Sequence, residues 1–161
     1  ARMMFVGEQP GDQEDQAGRP FVGPAGQLLD RAFAAAQIDR GEAYVTNAVK
    51  RFKFVQRGKR RIHSKPSNDD IEYYRWWLEQ ERQVVEPKVI VALGATAVRA
   101  LTGKTLTISR NRSQLIDYIG SSKLLITVHP SYLLRLPDET EKAEEYARFV
   151  EDLKQAKAAL G

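Results

Sequence analysis

Val89-Ile90-Val91-Ala92-Leu93 is an unbroken apolar run with Pro87 just before it and Gly94 just after it. A strand with one wet face alternates apolar and polar residues, whereas a continuous apolar strand has both faces covered. That requirement points to a parallel sheet held between two layers of helices. Met3-Met4-Phe5-Val6, closed by Gly7, repeats the pattern. Ala43–Val49, Gln114–Ile119 and Leu124–Val128 read as further strands, the last two joined by Gly120-Ser121-Ser122.

Helical spacing of Leu28, Leu29, Ala32, Phe33 and Ala36 predicts a helix over 25–37. Ser67 is the expected N-cap of a helix that reaches Val85 and carries Ile71, Tyr74, Trp77 and Leu78. Residues 95–102 predict a short helix, and a charged helix is expected from about Asp138 to Leu160. At helical spacing, one or both of Trp76 and Trp77 are expected to pack inward. The expectation is one domain over 1–161, a three-layer α/β/α fold with a mostly parallel central sheet. Neither an internal repeat nor a low-complexity segment interrupts it.

Charge is unevenly placed along this frame. Between Lys50 and Lys65 there are eight Lys or Arg, no acid and one histidine, within Lys59-Arg60-Arg61-Ile62-His63. The rest of the chain holds 17 basic residues against 21 acidic ones, so the positive excess is local. Such a patch reads as a contact for nucleic-acid phosphates, with Lys59, Arg60 and Arg61 at its centre and His63 placed to act on what the loop holds. The sequence has no cysteine. Disulfides, thiolate metal sites and thiol nucleophiles are excluded within it, and a cytoplasmic setting is expected. No apolar run approaches the ~18 residues of a membrane span, so no membrane partner is expected. The apolar run so close to Ala1 suggests that a natural N-terminal extension has been trimmed.

In open α/β sheets ligands sit beyond the carboxyl ends of the strands, and the unusual loops fall there. Gly7-Glu8-Gln9-Pro10-Gly11-Asp12-Gln13-Glu14-Asp15 concentrates carboxylates in a tight turn. These could bind a metal, act as bases or stabilise a cation, or form a solvated acidic turn. Arg19–Gly26 leads into the first helix, and its Phe21 is either a core plug or a stacking surface for a flat base. Asn47 ends a strand with one acceptor and two donors, suited to a base edge or to local backbone. His129-Pro130-Ser131-Tyr132-Leu133-Leu134-Arg135 offers a histidine able to donate to a negative oxygen and leucines able to wedge into a base stack. The bland alternative there is a turn followed by a core-facing helical segment. A Walker lysine, a Gly-x-Ser-x-Gly elbow and His-Glu-x-x-His spacing are all missing, and no metal is expected.

Taken in order, Gly7–Asp15, Arg19–Gly26, Tyr44–Lys50, Val89–Gly94 and His129–Arg135 resemble the uracil-DNA glycosylase superfamily across nearly the whole chain. Gln9, where family-4 enzymes usually have alanine, and the Lys59–His63 segment look like the UdgX type. The resemblance implies excision of uracil from DNA, with single strands preferred, followed by covalent capture of the sugar by His63. It also implies Glu8 and Gln9 beside the reacting centre, Phe21 stacked on uracil, and Asn47 reading its edge. His129 would lie near a uracil carbonyl, Asp12 with the substrate-binding residues, and Ser131, Leu133, Leu134 and Arg135 at the DNA. Relatives of this type carry an iron–sulfur cluster held mainly by cysteines. Here Arg51 and Tyr74 fall at ligand positions, so no cluster is expected, and Tyr74 and Trp76 are expected to fill its space. The working unit is expected to be a monomer. A conventional turnover glycosylase, a noncatalytic DNA-binding module and a nucleotide-binding α/β domain stand as alternatives.

Overall fold

The computed structural model describes residues 2–8, 23–49, 54–57, 60–63 and 66–161, with backbone alone for 54–57 and 60–63. Its strands are β1 (Met3–Gly7), β2 (Ala43–Asn47), β3 (Phe54–Arg57), β4 (Arg60–His63), β5 (Val89–Leu93), β6 (Leu115–Asp117) and β7 (Lys123–Thr127). The α-helices are α1 (Pro24–Ala35), α2 (Asn68–Val85), α3 (Ala95–Thr102), α4 (Ile108–Asn111), α5 (Pro130–Arg135) and α6 (Glu139–Ala158).

The main sheet runs β2-β1-β5-β7-β6. The first four strands are mutually parallel, and β6 is an antiparallel edge. Side chains of a strand alternate between faces, and here both sets are apolar. Met3, Phe5, Val89, Val91 and Leu125 join one core with Leu29, Phe33, Leu133, Phe149 and Leu153. Met4, Val6, Ile90, Ala92, Leu124 and Ile126 join the other with Ile71, Leu78, Val98 and Leu101. This is the expected α/β/α sandwich, and it explains why β1 and β5 carry no polar residue. Helix α1 and its neighbours α5 and α6 cover the first face; α2 and α3 cover the second.

Local signals set the helix boundaries. Ser67 Oγ accepts from the Asp70 backbone N–H at 3.2 Å, and Asp70 Oδ2 accepts from the Ser67 N–H at 2.8 Å. This reciprocal capping box starts α2 where Ser67 predicts it. Glu86, at φ 51°, and Pro87 end the helix.

Three regions differ from expectation. The basic segment contains an antiparallel hairpin, with Phe54 opposite His63 and Arg57 opposite Arg60. Two short helices are present besides those expected outright: α4, in a stretch given no element, and α5, where the helical alternative to a loop holds. Trp76 and Trp77 are 59% and 51% exposed, stacked edge-on against each other at 4.8 Å instead of packed inward. Trp76 therefore fills no interior space.

Candidate functional site

Four parallel strands deliver their last residues to one edge of the sheet. β2 ends in the buried Asn47, β1 leads into Glu8, β5 into Gly94, and β7 through Val128 into His129. Backbone pairing continues past the strands: Ala48 N–H donates to Gly7 O and Val49 N–H to Glu8 O, both at 2.9 Å, and Gly94 N–H to Thr127 O at 3.0 Å. Neighbouring strands are ~4.8 Å apart, so Asn47 and His129, at the ends of β2 and β7, stand roughly 14 Å apart at the backbone.

His129 is fixed by its own helix. It is the N-cap of α5, and its Nδ1 accepts from the Ser131 backbone N–H at 3.1 Å, with Ser131 Oγ at 2.7 Å. A backbone N–H can only donate, so Nδ1 presents a lone pair and a neutral ring carries its proton on Nε2. Gly94 lies close against the Cβ and backbone of His129. At φ 97° it has a backbone conformation that L side chains rarely adopt, and a Cβ there would meet His129 Cβ at 3.3 Å.

Behind His129 lies a buried polar network. Asp152 of α6 accepts from Thr127 Oγ1 at 2.6 Å, from Ser113 Oγ, and from Arg112 Nε at 3.2 Å. Arg112 also pairs with Glu145 through Nη1. Thr127 is the last residue of β7, so this network ties the strand that carries His129 to the C-terminal helix. Sequence reading did not single out Asp152. Its signal was a carboxylate inside the Phe149–Leu153–Ala156 apolar stripe of α6, hidden by the charge of the rest of that helix.

On the other side, Thr96 Oγ1 donates to Glu8 Oε2 at 3.1 Å, orienting the carboxylate. Helix α2 fixes the strand that ends in Asn47: Glu81 accepts from Tyr44 OH at 2.5 Å and from Thr46 Oγ1 at 2.8 Å. Burial and then the Glu81 carboxylate push the Tyr44 phenol up to about 12.

A cavity of about 840 Å³ opens at this edge. Glu8, Gly94, Thr96 and His129 line it together with Arg112, Ser131, Tyr132, Arg135, Glu145 and Arg148. Thus Glu8 and His129, expected together, do share one cavity, while Asn47 stands at the same strand edge outside its lining. Ser131 is turned to the His129 ring. Leu133 is wholly buried in the core under α5, so it cannot enter a base stack; Leu134, 38% exposed, is the leucine that faces solvent. The core-facing alternative therefore holds for Leu133. Gln9, Asp12, Phe21 and Lys59 lie outside the described residues, as do the side chains of Arg60, Arg61 and His63.

Among the described residues no cluster of three or more His, Asp or Glu could hold a metal ion. No described helix is long and apolar enough to cross a membrane.

Comparison with known proteins bears on this geometry. The sequence pattern described as the uracil DNA glycosylase superfamily matches residues 1–154. A type-4 uracil-DNA glycosylase from Thermotoga maritima is 38% identical over 161 residues, covering 99% of this chain and 78% of the relative. A second, from Pyrobaculum aerophilum, is 34% identical over 145 residues, covering 84% and 69%. A third, from Archaeoglobus fulgidus, is 31% identical over 151 residues, covering 89% and 72%.

Proposed function

This chain belongs to the uracil DNA glycosylase superfamily, and on that premise we propose that it excises uracil from DNA and then holds the deoxyribose as a covalent adduct of His63. The observation that carries excision is Glu8 and His129 facing one cavity from the loops after β1 and β7, on either side of the loop after β5. Uracil flips out of the strand at a cost of a few kcal/mol, least in single-stranded DNA, which is therefore the preferred substrate. Asn47 reads the base edge and Phe21 stacks on its face. The Nε2–H of His129 donates to a uracil carbonyl oxygen as negative charge builds there. Glu8 faces the sugar as it becomes cation-like.

The C1′–N1 bond breaks and its electron pair leaves with uracil. A lone pair of the neutral His63 ring then forms an N–C1′ bond, and the other ring nitrogen gives its proton to solvent. A nitrogen held within ~3–3.5 Å outcompetes water by proximity. Support for His63 comes from the Lys59–His63 sequence and from its place at the root of the β3–β4 hairpin, opposite Phe54 and away from the turn. The chemistry runs without an iron–sulfur cluster. Such clusters are held by thiolates, and these 161 residues contain no cysteine. Tyr74, at an expected ligand position, is half-buried against the α2–α3 core and edge-on to Tyr73, and a phenol does not replace a thiolate.

The type-4 relatives favour a second reading, turnover with release of an abasic product. Incubation with a uracil-containing single-stranded oligonucleotide, followed by a denaturing gel, separates the two. The expected result is a band that survives heat and detergent and disappears in His63→Ala. Abasic product accumulating over many turnovers, with no adduct, establishes the second reading instead.

A further inference from the structure

We infer that the cavity includes a phosphate subsite, in which Arg148 of helix α6, together with Arg135, binds a backbone phosphate next to the flipped nucleotide. The inference rests on the DNA-directed function proposed above, and it adds a helix that no loop motif implicates.

The first observation is size. At about 840 Å³ the cavity lies toward the upper end of the ~300–1,000 Å³ range of small-molecule sites, more than one pyrimidine fills. Its lining carries Tyr132, Arg135 and Arg148 in addition to Glu8, Thr96 and His129, so it has groups for more than the reacting nucleoside.

The second observation is how charge is distributed there. Arg148 has acids at every helical ion-pair spacing: Glu144, Glu145, Glu151 and Asp152. It pairs with none of them among the described residues. Asp152 and Glu145 are held by Arg112, and Glu151 pairs with Lys154. Arg135 likewise has no ion pair among the described residues. Arg112 thus has two effects: it anchors Asp152 behind His129, and it holds two of the four acids at ion-pair spacing from Arg148; Lys154 holds a third, and the exposed Glu144 alone has no ion pair among the described residues. Two unpaired guanidinium groups facing one cavity match an anion with several oxygens, and a DNA phosphate is the anion that accompanies the base. Arg148 and Arg135 are both exposed, so they are reached without rearrangement of the core.

The test uses the full chain and a single-stranded oligonucleotide carrying a tetrahydrofuran abasic analogue, which has no base to excise. Binding is measured by fluorescence anisotropy over a salt series. Arg148→Gln is expected to weaken binding several-fold at low salt and to reduce the slope of log K against log salt by roughly 0.7, the value for one single-strand phosphate. Arg148→Lys is expected to restore most of the slope, and Lys154→Gln, on the same helix but paired with Glu151, to leave it unchanged. A methylphosphonate at the contacted position should abolish the difference between the parent and Arg148→Gln. An unchanged slope in Arg148→Gln overturns the subsite, as does an equal loss in Lys154→Gln. Loss of slope in a protein that never excises uracil would keep the subsite and reject the catalytic reading.

Discussion

Helices α2 and α6 are of similar length and lie on opposite faces of the sheet, yet they are attached in different ways. α6 sinks Phe149, Val150, Leu153 and Ala156 into the core and adds the buried carboxylate of Asp152. α2 buries Ile71 and Leu78 and turns Tyr73, Trp76, Trp77 and Val84 to solvent. Its polar ties are peripheral: Glu81 to Tyr44 and Thr46, and Arg75 to the Ala100 carbonyl. The difference follows what each helix supports. α6 backs the strand that delivers His129, where a desolvated network holds direction as well as position. α2 backs the strand that delivers Asn47 through a partly exposed carboxylate.

The comparison breaks most readily at Asp152. Asp152→Ala leaves Arg112 buried with its main partner gone, an arrangement that costs about 3–5 kcal/mol. The expected result is a melting temperature lower by roughly 10 °C for a domain of this size. A loss under 1 kcal/mol in denaturant titration would mean that α6 is held by apolar contact alone. A smaller contrast lies within α2. Leu78→Ala should cost about 2–4 kcal/mol and Trp76→Ala less than about 0.5 kcal/mol, because only Leu78 is enclosed. Equal losses would show that the exposed tryptophans carry structural weight in solution.

The smallest effect concerns pH. Tyr44 has its pKa raised from 10.0 to about 12, so the native phenol keeps its proton where the unfolded one loses it. The stabilisation is complete below pH about 10 and disappears as pH rises through about 12. Tyr44→Phe should therefore flatten the decline of stability between those values. An unaltered alkaline limb would assign the decline to another group.

Much of this architecture was legible in the sequence because the hydrophobic effect writes it there directly. Val89–Leu93 and Met3–Val6 have no polar residue to place, so both faces had to be covered. Ser67 and Asp70 announced the start of α2 through capping chemistry. The hairpin was harder to read. Arg57, Arg60 and Arg61 obscure the alternation around Val55 and Ile62, although Gly58-Lys59 is a spacing at which hairpins turn. Helix α5 stood only as the alternative to a loop, because His129 is an unusual N-cap; Pro130 at its first position was the available sign. Glu8 and His129 could be found from loop position. Asp152 could not, since a charge on a charged helix shows its burial only once the facing elements are known.

Glu8, Asn47 and His129 are each delivered by a different strand, with Gly94 following a fourth, and this limits how the gene can change length. Deleting one codon within β1, β2, β5 or β7 would draw the terminal group back by ~3.3 Å and exchange the two faces of that strand. Insertions and deletions are tolerable only beyond the strand tips or in the helical returns, so lineages of this scaffold can diversify by remodelling their loops while the spacing at the sheet edge stays constant.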